Sequence, residues 1–300
     1  MLVLLQGAVS LGLLWAIMTI GVYITFRILD FADLSVEGTI ALGAAVAAKM
    51  ISDGQNPFLA TFVALLAGCA GGLVTGFLHT KLKIPPLLSG ILTMIAAYSI
   101  NIRIMGRANI SLLKVDTVYT FLEDLGFSSR TAVSSFGLTA VVIICCILYW
   151  FFGTEIGCAI RATGNNPKMV KAQGINTNGM KITGLVISNG LVALSGALIC
   201  QNQGFASVDM GTGAIVIGLA SVIIGEVLFG TRNFVNTLAS MVLGAVLYRM
   251  IIAIVLELGM APTDLKLFTA VTVALALFLP QVKSNLAIAL TPHNGGNNDA

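Results

Sequence analysis

Charge is scarce in this chain of 300 residues: Asp, Glu, Lys and Arg together make up only 10%, against roughly 25% in an average soluble domain. So few charges cannot dress the surface of a soluble protein of this length, and most of the surface must face lipid. Histidine is scarcer still, with only His79 and His293, and the five cysteines (Cys69, Cys145, Cys146, Cys158 and Cys200) form no CxxC pair. Neither a zinc site nor a disulfide framework is indicated, and no metal or cofactor is expected. The G-x-S-x-G nucleophile turn and the GxGD arrangement of aspartyl intramembrane proteases are missing too, so no catalytic residue is assigned. There is no G-x-x-x-x-G-K-[ST] phosphate loop and no Gly-Lys dipeptide, so any ATP used must be hydrolysed by another chain. The net charge of +3 is scattered over loops, which leaves no basic patch for nucleic acid.

Apolar length is what the chain has in abundance: 57% of its residues are hydrophobic. A bilayer crossing takes about 20 apolar residues. Nine candidate stretches run from Leu5 to Leu29, Val36 to Met50, Phe58 to His79, Leu87 to Met105, Ala132 to Phe152, Met180 to Cys200, Gly213 to Leu228, Phe234 to Leu256 and Leu265 to Leu279. They predict an all-α polytopic membrane helix bundle of about 8–10 transmembrane helices. One transmembrane domain is expected over residues 1–290, followed by an Asn- and Gly-rich tail, 291–300, with nothing to bury.

Two of the stretches, Val36 to Met50 and Gly213 to Leu228, are short for a crossing, and each follows an acidic turn, Asp33-Leu34-Ser35 and Val208-Asp209-Met210. They are expected to be broken helices placed centrally, because irregular backbone at membrane depth survives only inside protein or along a wet cavity. The two aspartates, about 176 residues apart, hint at an internal repeat. With the loop from Thr154 to Lys181 in the cytoplasm, alternation places nine basic residues inside, Arg27, Lys81, Lys83, Arg161, Lys168, Lys171, Lys181, Arg232 and Lys283, and seven outside.

The loop between the fifth and sixth stretches is too ordered for a linker. Asn165 or Asn166 is placed to cap a helix whose first position is Pro167, and Gly174 is placed to end it two turns later, before Ile175. A short cytoplasmic helix of this kind gives a soluble partner a rigid knob, with Met169, Val170 and Ala172 as apolar contacts and Lys168 and Lys171 at the rim. The alternative is a surface helix held to anionic headgroups by its lysines.

The run from Arg161-Ala162 through Asn166, Met169, Ala172 and Gly174-Ile175 to Ser195-Gly196-Ala197 resembles the cytoplasmic coupling loop of permeases in the branched-chain amino acid and ribose ABC importer superfamily. Asp30 to Gly38 with Leu42-Gly43-Ala44, and Ile84 to Met94, are similar to the family's discontinuous second helix and its Pro and Thr-Met segment. The form Asp33-Leu-Ser-Val-Glu-Gly38 is most similar to permeases paired with lipoprotein-type binding proteins, some assigned to tryptophan or tyrosine uptake. The resemblance implies a division of labour: a homodimer or related pair of permeases in a bacterial cytoplasmic membrane, two cytoplasmic ABC ATPase subunits, and an external or lipoprotein substrate-binding protein. It also implies that Arg161, Asn165, Asn166, Pro167, Lys168, Met169, Lys171, Gly174 and Ile175 face the ATPase. Ribose-type permeases are usually drawn with ten helices, so the outermost boundaries are where a departure is expected.

Polar residues in or near the apolar stretches are costly in lipid and are expected to face protein or water: Ser89, Thr93, Ser99, Asn101, Asn189, Glu226 and Arg249. The candidate pathway set is Asp33, Ser35, Glu37, Ser89, Thr93, Asn101 and Asn189; Asn101 and Asn189 suit substrate contact or interhelical bonding equally. Glu226 is placed near the cytoplasmic end, within reach of Arg232. Ala64, Gly68, Gly72 and Gly76 form a small-residue stripe suited to close helix packing. The rival function is an ion-coupled secondary transporter or channel, whose mark would be a carboxylate or histidine deep in a span; Glu37 comes nearest, beside a loop.

Overall fold

The computed structural model describes residues 2–113, 115–124 and 126–259, with isolated helical positions at Leu267, Ala270, Val271, Ala274 and Phe278. The ninth expected span, Leu265 to Leu279, lies outside the described residues apart from those positions, as does the tail. Eight helices among the described residues are long and apolar enough to cross a membrane. The chain runs as α1 (Leu2–Tyr23), a π-helical turn (Ile24–Ile28), α2 (Ser35–Ser52), α3 (Pro57–Thr80), α4 (Pro86–Met105), β1 (Asn109–Ser111), α5 (Thr120–Asp124) and α6 (Ser129–Phe152). It continues through α7 (Glu155–Asn165), α8 (Pro167–Ala172), α9 (Thr177–Gln203), β2 (Phe205–Ser207), a 3₁₀ turn (Val208–Gly211), α10 (Ala214–Phe229) and α11 (Phe234–Glu257).

Local chemistry explains several boundaries. Asn56 accepts the Phe58 N–H, and Pro57 opens α3, while Gly106 and Gly204 close α4 and α9 in the left-handed conformation that a side chain disfavours. β1 and β2 pair antiparallel, Asn109 opposite Ser207, and tie the end of α4 to the end of α9.

Burial sorts the helices. The spans of α1, α2 and α9 are 78%, 78% and 72% buried within the chain, whereas those of α3, α4 and α6 are 33%, 28% and 33% buried. Exposed Phe62, Leu73, Leu92, Ile143 and Ile147 give the outer helices the apolar face that lipid requires.

The core contacts are backbone against backbone. A Cβ at Gly68 would lie 2.4 Å from the Asn189 carbonyl oxygen, one at Gly72 2.3 Å from that of Leu185, and one at Gly43 2.0 Å from that of Ala193. The small-residue stripe is thus the seam between α3 and α9, where van der Waals contact replaces the hydrophobic drive that lipid removes.

One expectation needs correction. The helix after Asp33 is not broken: α2 is an unbroken 18-residue helix. The irregularity lies before it, where the π turn ends, Asp30 takes φ 51°, and the chain has no regular structure until the turn at Leu34. The second short stretch has the same form: α10 is continuous, and the irregular backbone, the 3₁₀ turn and Gly213 at φ 79°, precedes it.

Candidate coupling surface and transport pathway

The loop from Thr154 to Lys181 holds two helices where the sequence suggested one. α7 starts on Thr154, whose Oγ1 accepts the Gly157 N–H, and it buries Ile160 and Thr163. Gly164 is the fulcrum: a Cβ there would meet the Ile28 carbonyl oxygen at 1.8 Å, so α7 lies directly on the π turn. The residue that caps α8 is Asn166, whose Oδ1 accepts the Met169 N–H at 3.1 Å, with Pro167 next. Gly174, at φ 82°, ends the turn, and Ile175 N–H returns to the Val170 carbonyl at 3.3 Å.

Exposure divides the expected contact set. Met169 is 46% exposed and Ala172, Lys168 and Lys171 are exposed, but Val170 is 0% exposed and anchors α8 instead of offering itself outward. The Arg161 guanidinium stands 5.4 Å from the Phe234 ring centroid, joining α7 to α11. Between α7 and the π turn opens a groove of about 660 Å³ lined by Tyr23, Arg27, Asp30, Cys158, Arg161 and Asn165. Arg27 Nε donates to Glu226 Oε1 at 2.9 Å, so Glu226 is bonded to Arg27 and not to Arg232.

The second cluster lies deeper. Asn189 is residue 13 of the 27 in α9, hence near the middle of the membrane. Its Nδ2 donates to Asp33 Oδ2 at 2.8 Å, and the Ser35 N–H donates to Asp33 Oδ1 at 2.9 Å. Ser35 Oγ also donates to Asp33 Oδ1 and lies 3.2 Å from Asn189 Oδ1. Asp33, Ser35 and Asn189 are all buried. An isolated carboxylate here would cost several kcal/mol; this one is wrapped by neutral donors, among them the first N–H of α2. Asp33, which the sequence placed in an acidic turn while singling out Glu37 as nearest to a deep carboxylate, is therefore a deep carboxylate among the described residues.

The remaining pathway candidates separate. Ser89 bonds the Pro86 carbonyl, and Thr93 accepts from Thr75 Oγ1 at 2.9 Å, so both join α4 to its own turn or to α3. Asn101 donates from Nδ2 to the Gly38 carbonyl at 3.3 Å. Glu37 Oε1 accepts the Gly213 N–H at 3.0 Å across 176 residues, the separation of Asp33 from Asp209. The two irregular segments therefore meet at matching points. Glu37 and Asn101 share a cavity of about 420 Å³ between α2, α4 and the 3₁₀ turn. Arg249, which the sequence flagged without a partner, sits 4.0 Å from the Trp15 ring centroid.

A buried three-helix hub, the buried bracket of Asp33, Ser35 and Asn189, and the helix pair α7–α8 suit a polytopic membrane transport subunit. Residues 4–279 match the family described as branched-chain amino acid transport system, permease component. The chain is 41% identical over 293 residues to the tyrosine transport system permease protein of Clostridioides difficile, covering 97% of this chain and 95% of that one. It is 30% identical over 213 residues to the ribose import permease protein of Haemophilus influenzae, covering 69% and 64% of the two chains. A solved ABC transporter in an inward-facing conformation shares the fold, with a TM-score of 0.53 at 16% identity over 93% of this chain and 85% of that one. The chain belongs to the branched-chain amino acid permease family: it is a multi-pass inner-membrane permease subunit of an ABC importer.

Proposed function

We propose that two copies of this chain form the membrane pathway of an importer for an aromatic amino acid, tyrosine first. The similarity to a tyrosine transport permease over nearly both full lengths carries the substrate reading. ATP hydrolysis is assigned to separate cytoplasmic subunits gripping Met169 and the groove beside Arg161, and substrate delivery to an external binding protein. Residues 1–290 act as one permease unit. The second copy covers α4 at Arg103, a charged group on its outward face; such a group is costly against lipid.

Force from the ATPases enters at α7 and α8. α7 rests on the π turn through Gly164, and α8 leads within a few residues into α9, which carries Asn189. Displacing these helices moves the Asp33 bracket and with it the start of α2.

The test is co-purification with the partner ATPase and tyrosine uptake in proteoliposomes holding the binding protein. Met169→Asp is expected to lose the ATPase while staying monodisperse, because Met169 is exposed. A wild-type chain that binds no ATPase sinks the reading, and an assembled complex that ignores tyrosine removes the substrate.

A further inference from the structure

The cavity between α2, α4 and the 3₁₀ turn has an unusual polar inventory. Apolar wall comes from Met94, Ile95 and Tyr98, and its charged groups are the carboxylates of Glu37 and Asp209. Among the described residues, no Lys, Arg or His lines it. Glu37 is fixed by amides at the start of α10, Gly213 N–H at 3.0 Å and that of Ile215. A carboxylate offers about four lone-pair sites, so capacity remains on the cavity side.

Asn101 supplies the second observation. It is fully buried, its Nδ2 is spent on the Gly38 carbonyl, and its Oδ1 has no hydrogen-bond partner among the described residues. An orphan acceptor of this kind costs about 1–3 kcal/mol. Asn101 bonds the carbonyl of Gly38, the residue after Glu37, so the side chains of Asn101 on α4 and Glu37 on α2 line one cavity from two packed helices. The Asn101 oxygen lacks a donor, and the carboxylate, which already holds two backbone amides, lacks a positive charge on the cavity wall. A primary ammonium brings three donors and that charge in one group. An anionic ligand brings neither and is repelled.

We infer that this cavity takes the ammonium group of the transported solute, with Glu37 as its charge partner, Asn101 Oδ1 as a further acceptor, and Tyr98 against an apolar or aromatic body. This rests on the permease reading and narrows it to amines.

The test uses the transporter assembled with its ATPase, in a background without native cysteines. Ser99→Cys on the cavity wall reports occupancy through its rate of maleimide labelling. The probes are tyramine and 3-(4-hydroxyphenyl)propionate, which share the phenol and the two-carbon chain and differ in the sign of the terminal charge. Tyramine is expected to slow labelling at least threefold and the propionate not at all, and Glu37→Gln, which keeps an acceptor for Gly213, is expected to abolish the difference. Equal protection by both probes, or protection unchanged in Glu37→Gln, overturns the inference. If the Gln variant is not recovered, thermal melting of the wild-type complex decides: stabilisation by tyramine alone supports the inference, and equal or no stabilisation overturns it. A complex that forms and imports tyrosine yet shows no tyramine effect refutes this inference alone, whereas a chain that binds no ATPase refutes the permease reading.

Discussion

Adding one methyl group at Gly164 should uncouple ATP hydrolysis from uptake. The new Cβ would stand 1.8 Å from the Ile28 carbonyl oxygen, 2.8 Å from its carbon and 2.9 Å from Leu29 Cα. All three atoms are backbone, so no rotamer change relieves the clash. A carbon normally approaches a carbonyl oxygen to about 3.3 Å, so α7 must withdraw by roughly 1.5 Å or the π turn must deform. Overpacking of this kind costs about 1–3 kcal/mol, and ~2 kcal/mol shifts the docked and undocked populations about 30-fold. Gly164→Ala should therefore lower the thermal-aggregation midpoint of the purified complex and cut uptake per ATP hydrolysed by at least tenfold. Gly7→Ala, where a Cβ meets nothing within 4 Å, is the silent control. A Gly164→Ala transporter with wild-type midpoint and wild-type uptake would refute the proposed contact between α7 and the π turn.

Other perturbations probe the rest of the fold. Asn189→Ala removes one donor from buried Asp33 and should reduce uptake, while Asn189→Asp, which sets a second carboxylate against it, should also reduce recovery of monodisperse protein; equal behaviour of the two would count against the bracket. Gly72→Val drives into the Leu185 carbonyl and should abolish expression, whereas Gly71→Val, with only Thr39 side-chain atoms beyond 3.4 Å, should be recovered. The Arg27–Glu226 pair has side chains 51% and 18% exposed, so Arg27→Ala should cost under ~1 kcal/mol, read as a small shift in melting midpoint. Cys158 is exposed on α7 and Cys200 is buried; a membrane-impermeant maleimide should label Cys158 from the cytoplasmic side only and should leave Cys200 untouched.

Sequence reading found the spans because a bilayer demands about 20 apolar residues wherever it is crossed, and that pattern is local. It found α8 through Asn166, Pro167 and Gly174, again within a dozen residues. α7 escaped because its stretch, Glu155 to Asn165, is amphipathic, too short to cross and interrupted by glycines. The unbroken α2 was read as broken because a helix of 18 residues, near the lower limit for a crossing, shows the same shortness as one with a gap. The bracket joins residues 156 apart and the Arg27–Glu226 pair residues 199 apart; nothing in one sequence marks such partners. Asn189 and Asp33 were separately recognisable as costly polar groups, but their pairing required the fold. The β ribbon, three residues on each side, carries too little alternation to register.

The glycine seams along α9 have a mechanical consequence. Where backbone touches backbone at Gly43 and Gly72, and Gly68 meets the Asn189 carbonyl and the Ala193 methyl, no flexible side chain stands between helices to bend, rotate or absorb a displacement. Close-packed interiors have low compressibility and pass strain on. α9 is therefore a stiff strut in a rigid sleeve: a push at Thr177 arrives at Asn189 with little lost on the way. Such a rod has no graded half-response, and the transporter it serves should switch between discrete states.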